Sequence, residues 1–178
     1  MPKKLTLLIA AGTLGTAVAG CGTARVAGIV PAPSQGATAA AVTATTSTPT
    51  SGPLSKEPTI AKPTGPAPKQ LVTKDLVTGT GATAAAGDTV VVNYVGALYN
   101  TGKVFDASWK DGSTFTTALK FPGGVIQGWV KGIAGMKVGG RRELIIPPAL
   151  AYGKAGQPPT IPANATLIFD VDLLKVSK

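Results

Sequence analysis

Asp106 and Tyr152 are the polar residues of this sequence that are hardest to explain by the fold alone. Asp106 follows Phe105 at the predicted end of a short strand, where capping the turn is the alternative role for a carboxylate. Tyr152 lies in "ALAYGKAG", which has the composition of a loop, and an aromatic side chain is less expected there as part of a core. We therefore predict that both side chains face a binding site.

The residue types that carry most enzyme chemistry are missing or isolated. The chain has no histidine and a single cysteine, Cys21, which excludes serine and cysteine triads of the common kind. No group of carboxylates or cysteines has the spacing of metal ligands. We therefore expect no cofactor and no metal, and a reaction that needs neither a nucleophile nor a proton transfer.

The stretch "GGVIQGWVKGI", residues 123–133, offers an apolar site instead. Its apolar residues recur at spacings of three and four, which predicts a short amphipathic helix that ends at Gly135: Val125, Ile126, Trp129, Val130 and Ile133. An apolar pocket suits rotation about an X-Pro amide bond, because the resonance behind its barrier of about 18–20 kcal/mol weakens when the bond twists there. Prolyl isomerisation is therefore a candidate reaction.

Alternating apolar residues predict strands around this helix. "DTVVVNYVGAL" places Val90, Val92 and Tyr94 on one face, and "ATLIFDVDLLKV" alternates in the same way. Further strands are predicted in "QLVTKDLVTGTG", at residues 103–106 and 113–119, and in "GGRRELIIPP". Many strands and one short helix predict an α+β fold in which the helix covers one face of an antiparallel sheet.

The aromatic residues define the extent of the folded domain. All nine lie between Tyr94 and Phe169, which assigns the domain to residues 70–178. Residues 21–69 contain none and are rich in Ala, Thr, Pro, Ser and Gly, so we expect a disordered tether there. The net charge of +9 is spread along the chain without a basic helix face, so no nucleic-acid partner is expected.

The beginning of the sequence has the pattern of an export signal. Two lysines precede an uncharged apolar run from Leu5 to Gly20, which predicts a secretory signal peptide over residues 1–20. The run ends in "VAGC", which resembles the lipobox of bacterial lipoproteins, where the cysteine thiol accepts the lipid. We expect Cys21 to be lipidated and to anchor the protein to the cell membrane, facing the extracytoplasmic side. The alternative is an ordinary secreted protein with an incidental cysteine.

Six motifs follow one another in the C-terminal part of the chain: "VNYVGAL", "GKVFDAS", "VIQGWVKGI", "MKVGGRRELIIPP", "AYG" and "IPANATLIFDVDLL". Over roughly residues 71–176 they resemble, in order, the FKBP family, the tacrolimus-binding peptidyl-prolyl cis-trans isomerases. The resemblance implies a half-barrel of antiparallel strands wrapped around one short helix. It also implies isomerisation of X-Pro bonds in unfolded or proline-containing proteins, here outside the cytoplasm.

The resemblance implies roles for ten residues as well. Trp129 corresponds to the floor under the substrate proline, Asp106 to the carboxylate that faces the substrate carbonyl, and Tyr152 to a hydroxyl that hydrogen-bonds to ligands. The substrate-binding residues correspond to Tyr94, Phe105, Phe115, Val125, Ile126, Ile161 and Phe169. Most of these apolar residues are also expected in the core of any α+β fold.

The sequence departs from the family pattern near the predicted rim of the pocket. Thr117, Gln157 and Thr160 replace residues that many members carry there, which bears on the affinity for macrolide ligands of the tacrolimus type. Two other functions stay open. One is a non-catalytic proline-binding or chaperone module on a membrane tether, and the other is a structural protein of the wall or membrane.

Overall fold

The computed structural model describes residues 52–178 of the 178-residue chain. This part contains six strands, one α-helix and two short 3₁₀ turns, the turns at Ser108–Asp111 and Pro148–Leu150. The strands are β1 (Val72–Val77), β2 (Thr89–Leu98), β3 (Val104–Ala107), β4 (Phe115–Ala118), β5 (Arg141–Ile146) and β6 (Leu167–Ser177), and the helix is α1 (Gln127–Ile133).

The strands form one antiparallel sheet in the order β1-β5-β6-β2-β3, and β4 also pairs with β2. The helix covers its inner face, where Val90, Val92, Leu144 and Ile146 are fully buried. The predicted α+β fold, an antiparallel sheet with one short helix, is therefore confirmed. No helix among the residues described is long and apolar enough to cross a membrane.

Helix α1 lies close to the sheet because glycine faces β5. A Cβ atom built on Gly128 would overlap with the side chain of Ile146, so a larger residue would push the helix outward. At the other end of the helix, Arg142 Nη1 donates to the carbonyl of Gly132 at 2.9 Å and, more weakly, to that of Ala134 at 3.4 Å. These bonds satisfy carbonyls that the helix itself leaves without a partner.

The helix is shorter than its apolar spacing predicts. It begins at Gln127 and ends at Ile133, so Val125 and Ile126 precede it and the helix stops before Gly135. Ile126 is the residue before the first turn, and its ψ of 150° is extended rather than helical. Val125 and Ile126 still face the inner side of the sheet, but they do so from a loop and not from the helix.

The predicted tether reaches too far along the chain. Residues 54–69, which we call the strap, have no regular secondary structure; the first part, to Ile60, has side chains buried against the domain, whereas residues 61–69 are exposed or half-buried. Leu54, Pro58 and Ile60 are buried, and Ile60 joins a cluster with Val95, Ala97, Ala107 and Ile168. The prediction missed this contact because it counted aromatic residues, whereas the strap is held by two aliphatic side chains. Residues 21–51 of the predicted tether lie outside the described part of the chain.

Charged residues are buried under the strap on the outer face. Arg141 binds both carboxylate oxygens of Asp172, at 2.5 and 2.7 Å, and its Nη2 also donates to the carbonyl of Lys56 at 2.8 Å. The neighbouring Asp170 is only 3% exposed, and its Oδ1 has no hydrogen-bond partner among the described protein atoms. Burial raises the pKa of Asp170 to about 6; Glu143 acts in the same direction and Arg141 opposes it.

We expect Asp170 to make the domain less stable as the pH rises. Its folded-state pKa lies above the ordinary aspartate value of about 3.9, so the folded form binds more protons between the two values and loses stability as the pH increases through them. Replacing it in Asp170→Asn should raise the free energy of unfolding relative to wild type by about 2–3 kcal/mol more at pH 7.5 than at pH 4. Urea unfolding across this range measures the difference.

Asp75→Asn serves as the control of opposite sign. The hydrogen bond from Arg142 lowers the pKa of Asp75, so the stability that Asp75 contributes is present at neutral pH and lost on acidification. A wild type and an Asp170→Asn variant with parallel stability curves would contradict the assignment of Asp170.

Candidate functional site

An aromatic box opens on the inner face of the sheet, beside α1. Trp129, the buried floor, makes edge-to-face contacts with three rings at centroid distances of 5.3–6.2 Å and interplanar angles of 80–88°: those of Tyr94, Phe115 and Phe169. Phe105 extends the wall by packing at 90° against Phe169. Three rings therefore stand nearly perpendicular to the indole plane. The rings of Tyr94, Phe105, Trp129 and Phe169 line a cavity of about 360 Å³, a volume that includes the open space at its mouth.

Two polar side chains face this cavity. The hydroxyl of Tyr94 donates to Oδ2 of Asp106 at 2.6 Å, which holds the carboxylate at the edge of the box. Tyr152 lines the same cavity from the loop after the second 3₁₀ turn. Burial, and to a smaller extent the charge of Asp106, raise the pKa of the Tyr152 hydroxyl above its ordinary value of 10, so this group is a hydrogen-bond donor at neutral pH.

The β2–β3 hairpin positions Asp106 and one wall of the box. A register shift between Gly96 and Ala97 leaves Phe105 as the extra residue of β3, so Phe105 and Asp106 both reach the cavity. Gly96 makes room for the rings, because a Cβ there would lie 2.6 Å from Phe169 and 2.9 Å from Phe105. Glycine at this position is therefore required by the close approach of two aromatic walls.

A buried serine ties the end of β3 to β2. Ser108 Oγ accepts a hydrogen bond from the backbone N–H of Tyr94 at 3.0 Å and donates to Oδ1 of Asn93 at 3.1 Å. These bonds join the residue after Ala107 to the strand that carries Tyr94. They complete the support of the hairpin on the side away from the cavity.

The structure brings eight of the ten predicted site residues together around one cavity: Tyr94, Phe105, Asp106, Val125, Ile126, Trp129, Tyr152 and Phe169. The other two lie behind it. Phe115 packs on the rings of Tyr94 and Trp129, and Ile161 is buried in the core, so both support the lining rather than form it. Cys21, the predicted lipidation site, lies outside the described residues. The chemical roles of these residues remain predictions.

Three contacts at the site were not foreseen from the sequence. They are the Tyr94–Asp106 hydrogen bond, the Ser108–Asn93 pair and the support that the strap gives to the hairpin. The first two join residues 12 and 15 positions apart, and no periodicity of the chain predicts which polar groups meet across a hairpin with a register shift. The only sequence signal was the alternation of β2, which places Asn93 on the face opposite Tyr94.

The three predicted departures from the family pattern are not among the residues that line the cavity. Gln157 and Thr160 lie in a tight loop, in which the N–H of Gln157 donates to the carbonyl of Ile161 at 2.8 Å and that of Thr160 donates back to Gln157. Thr117 lies in β4, opposite Val90. No group of three or more potential metal ligands was found within residues 52–178. The apolar cavity can bind a compact apolar ring, and Asp106 and Tyr152 can form hydrogen bonds with a polar group beside that ring.

Comparison with known proteins agrees with this geometry. A sequence profile of FKBP-type peptidyl-prolyl cis-trans isomerases matches residues 81–174. An FK506-binding protein of Streptomyces anulatus is 49% identical over 125 residues, which is 68% of this chain and 98% of that protein. This match is longer than residues 70–178 and therefore includes part of the strap. FK506-binding protein 4 of Dictyostelium discoideum is 49% identical over 100 residues, which is 56% of this chain and 26% of that protein.

Solved structures show the same fold. The crystal structure of FkpA from Escherichia coli matches with a TM-score of 0.55 and 48% identity, over 60% of this chain and 48% of that one. A peptidyl-prolyl cis-trans isomerase from Pseudomonas syringae also matches with a TM-score of 0.55, at 33% identity, over 61% and 76%. The chain spans about a quarter or less of several longer relatives. The profile match, and the match to the Streptomyces relative over nearly all of that protein's length, show that this chain belongs to the FKBP-type peptidyl-prolyl cis-trans isomerase family.

Proposed function

We propose that this protein catalyses cis–trans isomerisation of X-Pro bonds in unfolded or loosely folded polypeptides. The observation that carries the proposal is the box with Trp129 as its floor. The indole of Trp129 would present its face to one compact ring, and the rings of Tyr94 and Phe169 stand nearly perpendicular to the indole. A proline ring is small and apolar enough to fit into this box. Its amide would lie at the mouth, beside Asp106 and Tyr152.

The box would act mainly by removing water from the amide. The uncatalysed X-Pro bond isomerises in tens to hundreds of seconds, so a turnover of about 100 per second requires the barrier to fall by on the order of 5–6 kcal/mol. Resonance makes the planar amide more polar than the twisted one, so an apolar pocket favours the twisted form. No covalent intermediate is needed, because rotation breaks no bond.

The polar groups would orient the substrate. The Tyr94 hydroxyl fixes one oxygen of Asp106, which sets the direction of the negative charge next to the amide. The Tyr152 hydroxyl, which keeps its proton at neutral pH, would donate to a substrate carbonyl. Both interactions bind the ground state as well as the twisted form, so we assign them the smaller share of the rate enhancement.

A macrolide of the FK506 type is the expected inhibitor. The named relatives are FK506-binding proteins, and such a ligand would place its own ring over Trp129 and compete with the substrate. The loop of Gln157 and Thr160 and the strand position of Thr117 would then set the affinity for the macrolide more than the rate of isomerisation.

We also propose that the domain works at the extracytoplasmic side of the cell membrane, on a lipid anchor at Cys21. The proposal is supported by the single cysteine of the chain, placed directly after an uncharged apolar run and two small residues. Residues 22–51 would connect the anchor to the strap. Secreted proteins that fold in this compartment would be the substrates.

We expect Trp129→Leu and Trp129→Ala to differ. Leucine keeps an apolar floor, so kcat/KM for a Leu-Pro peptide should fall only in part, whereas alanine leaves a cavity that should also cost about 3–5 kcal/mol of stability. A protease-coupled assay and thermal unfolding measure the two effects. A wild type that binds the peptide without accelerating isomerisation would instead identify a proline-binding module.

We expect Asp106→Leu and Tyr152→Phe each to lower kcat/KM by about two- to tenfold, because a single hydrogen bond is worth about 0.5–1.5 kcal/mol. Thermal stability should change little. Wild-type activity should be nearly flat from pH 6 to 8, because the chain has no histidine and the raised pKa of Tyr152 keeps its proton in place. Full activity in both variants, or a steep change in rate near pH 7, would contradict these roles.

We expect Cys21→Ala to move the protein from the detergent phase to the aqueous phase, or to leave an uncleaved precursor. The thiol is the acceptor of the proposed lipid, and alanine removes it without affecting the catalytic domain. Phase partitioning and mass spectrometry of the N-terminus measure the outcome. A wild type that carries no lipid would refute the anchor.

A further inference from the structure

The strap follows the outer face of the sheet and reaches the hairpin that carries the site. The carbonyl of Lys56 is held by Arg141 of β5, and Ile60 lies over the outer cluster. Lys62 then packs on the turn between β2 and β3, since a Cβ built on Gly102 would lie 3.0 Å from the Cβ of Lys62. Further along, the carbonyl of Pro66 accepts a hydrogen bond of 3.4 Å from Tyr99.

Apart from the hydrogen bonds of Ser108 and the packing of Phe105 on Phe169, strand β3 has little support besides the strap. It is four residues long, lies at the edge of the sheet and pairs with β2 at three positions that include a register shift. Its inward residues Phe105 and Asp106 line the cavity, and the next residue, Ala107, is buried in the outer cluster with Ile60. The cavity and the outer cluster that contains Ile60 therefore lie on opposite sides of one short strand.

We propose that the strap is a positioning element for the isomerase site, with Ile60 as the positioning residue that holds β3 and so fixes Phe105 and Asp106. The inference rests on the proposed isomerase function. Ile60 is the large aliphatic side chain that the strap contributes to the cluster, and it is 9% exposed. The sequence match to the Streptomyces relative continues into the strap, beyond the 81–174 range of the family profile.

Two deletions in the full chain test the strap directly. Deleting residues 22–51 keeps the strap and should leave kcat/KM unchanged for a Leu-Pro peptide at 10 °C. Deleting residues 22–69 removes the strap and should lower kcat/KM by about tenfold, because displacement of a binding wall by an ångström is enough for such a loss. Equal activity of the two deletions, with both folded by circular dichroism, would overturn the proposal.

A double-mutant cycle tests the route through Asp106. Ile60→Ala should lower kcat/KM by about tenfold in the wild-type background and by a smaller factor, about two- to fivefold, in an Asp106→Leu background, since only the displacement of Phe105 is then still felt. Ile60→Val, which keeps most of the side chain, should restore activity to within about twofold of wild type. Equal losses in the two backgrounds would overturn the positioning role.

Met136→Ala is the matched control for stability, because Met136 is buried near the end of α1, outside the lining of the cavity. It should lower the midpoint of thermal unfolding as Ile60→Ala does, yet leave kcat/KM at 10 °C unchanged. If Ile60→Ala behaves in the same way, Ile60 is only structural and the proposal fails. If Ile60→Ala does not fold, Ile60→Val takes its place in the cycle: a loss of kcat/KM that is smaller in the Asp106→Leu background supports the positioning role, and an equal loss in both backgrounds overturns it. A wild type without isomerase activity would refute the proposed function itself.

Discussion

The close contact between α1 and β5 is the constraint on which the site depends. Because Gly128 has no side chain, the helix lies directly against Ile146, and the residue that follows, Trp129, is driven into the concave side of the sheet. At that depth the indole meets rings from both long strands, Tyr94 on β2 and Phe169 on β6. A helix farther from the sheet would leave the indole without these perpendicular neighbours.

The central strands β2 and β6 are buried on both faces over most of their length, and the two faces have different chemistry. The inner face is aliphatic and aromatic, which suits a desolvated pocket. The outer face mixes a small aliphatic cluster with the Arg141–Asp172 pair and the carboxyl of Asp170. A buried charge is costly to leave unpaired, so the ion pair and the strap that covers it form one unit. The strap therefore belongs to the domain in the same sense as the strands.

Much of this arrangement follows from the sequence. The alternation of β2 and β6 fixed which residues face inward, and the spacing around Trp129 located the helix, because burial on one side leaves a period in the chain. The strap left no such period: Leu54 and Ile60 are isolated aliphatic residues in a proline-rich segment. The bond from Tyr94 to Asp106 depends on a register shift, and a shift of one residue is invisible to alternation.

The strand order has a consequence for how the domain assembles. β6, the last of the six strands along the chain, lies between β5 and β2 in the middle of the sheet. The sheet cannot be completed strand by strand in chain order, because β5 and β2 are joined only when β6 pairs with both of them. An intermediate without β6 has two open edges, which invite pairing with other chains. A domain proposed to assist the folding of other proteins thus has a topology of long-range contacts, which favours slow folding.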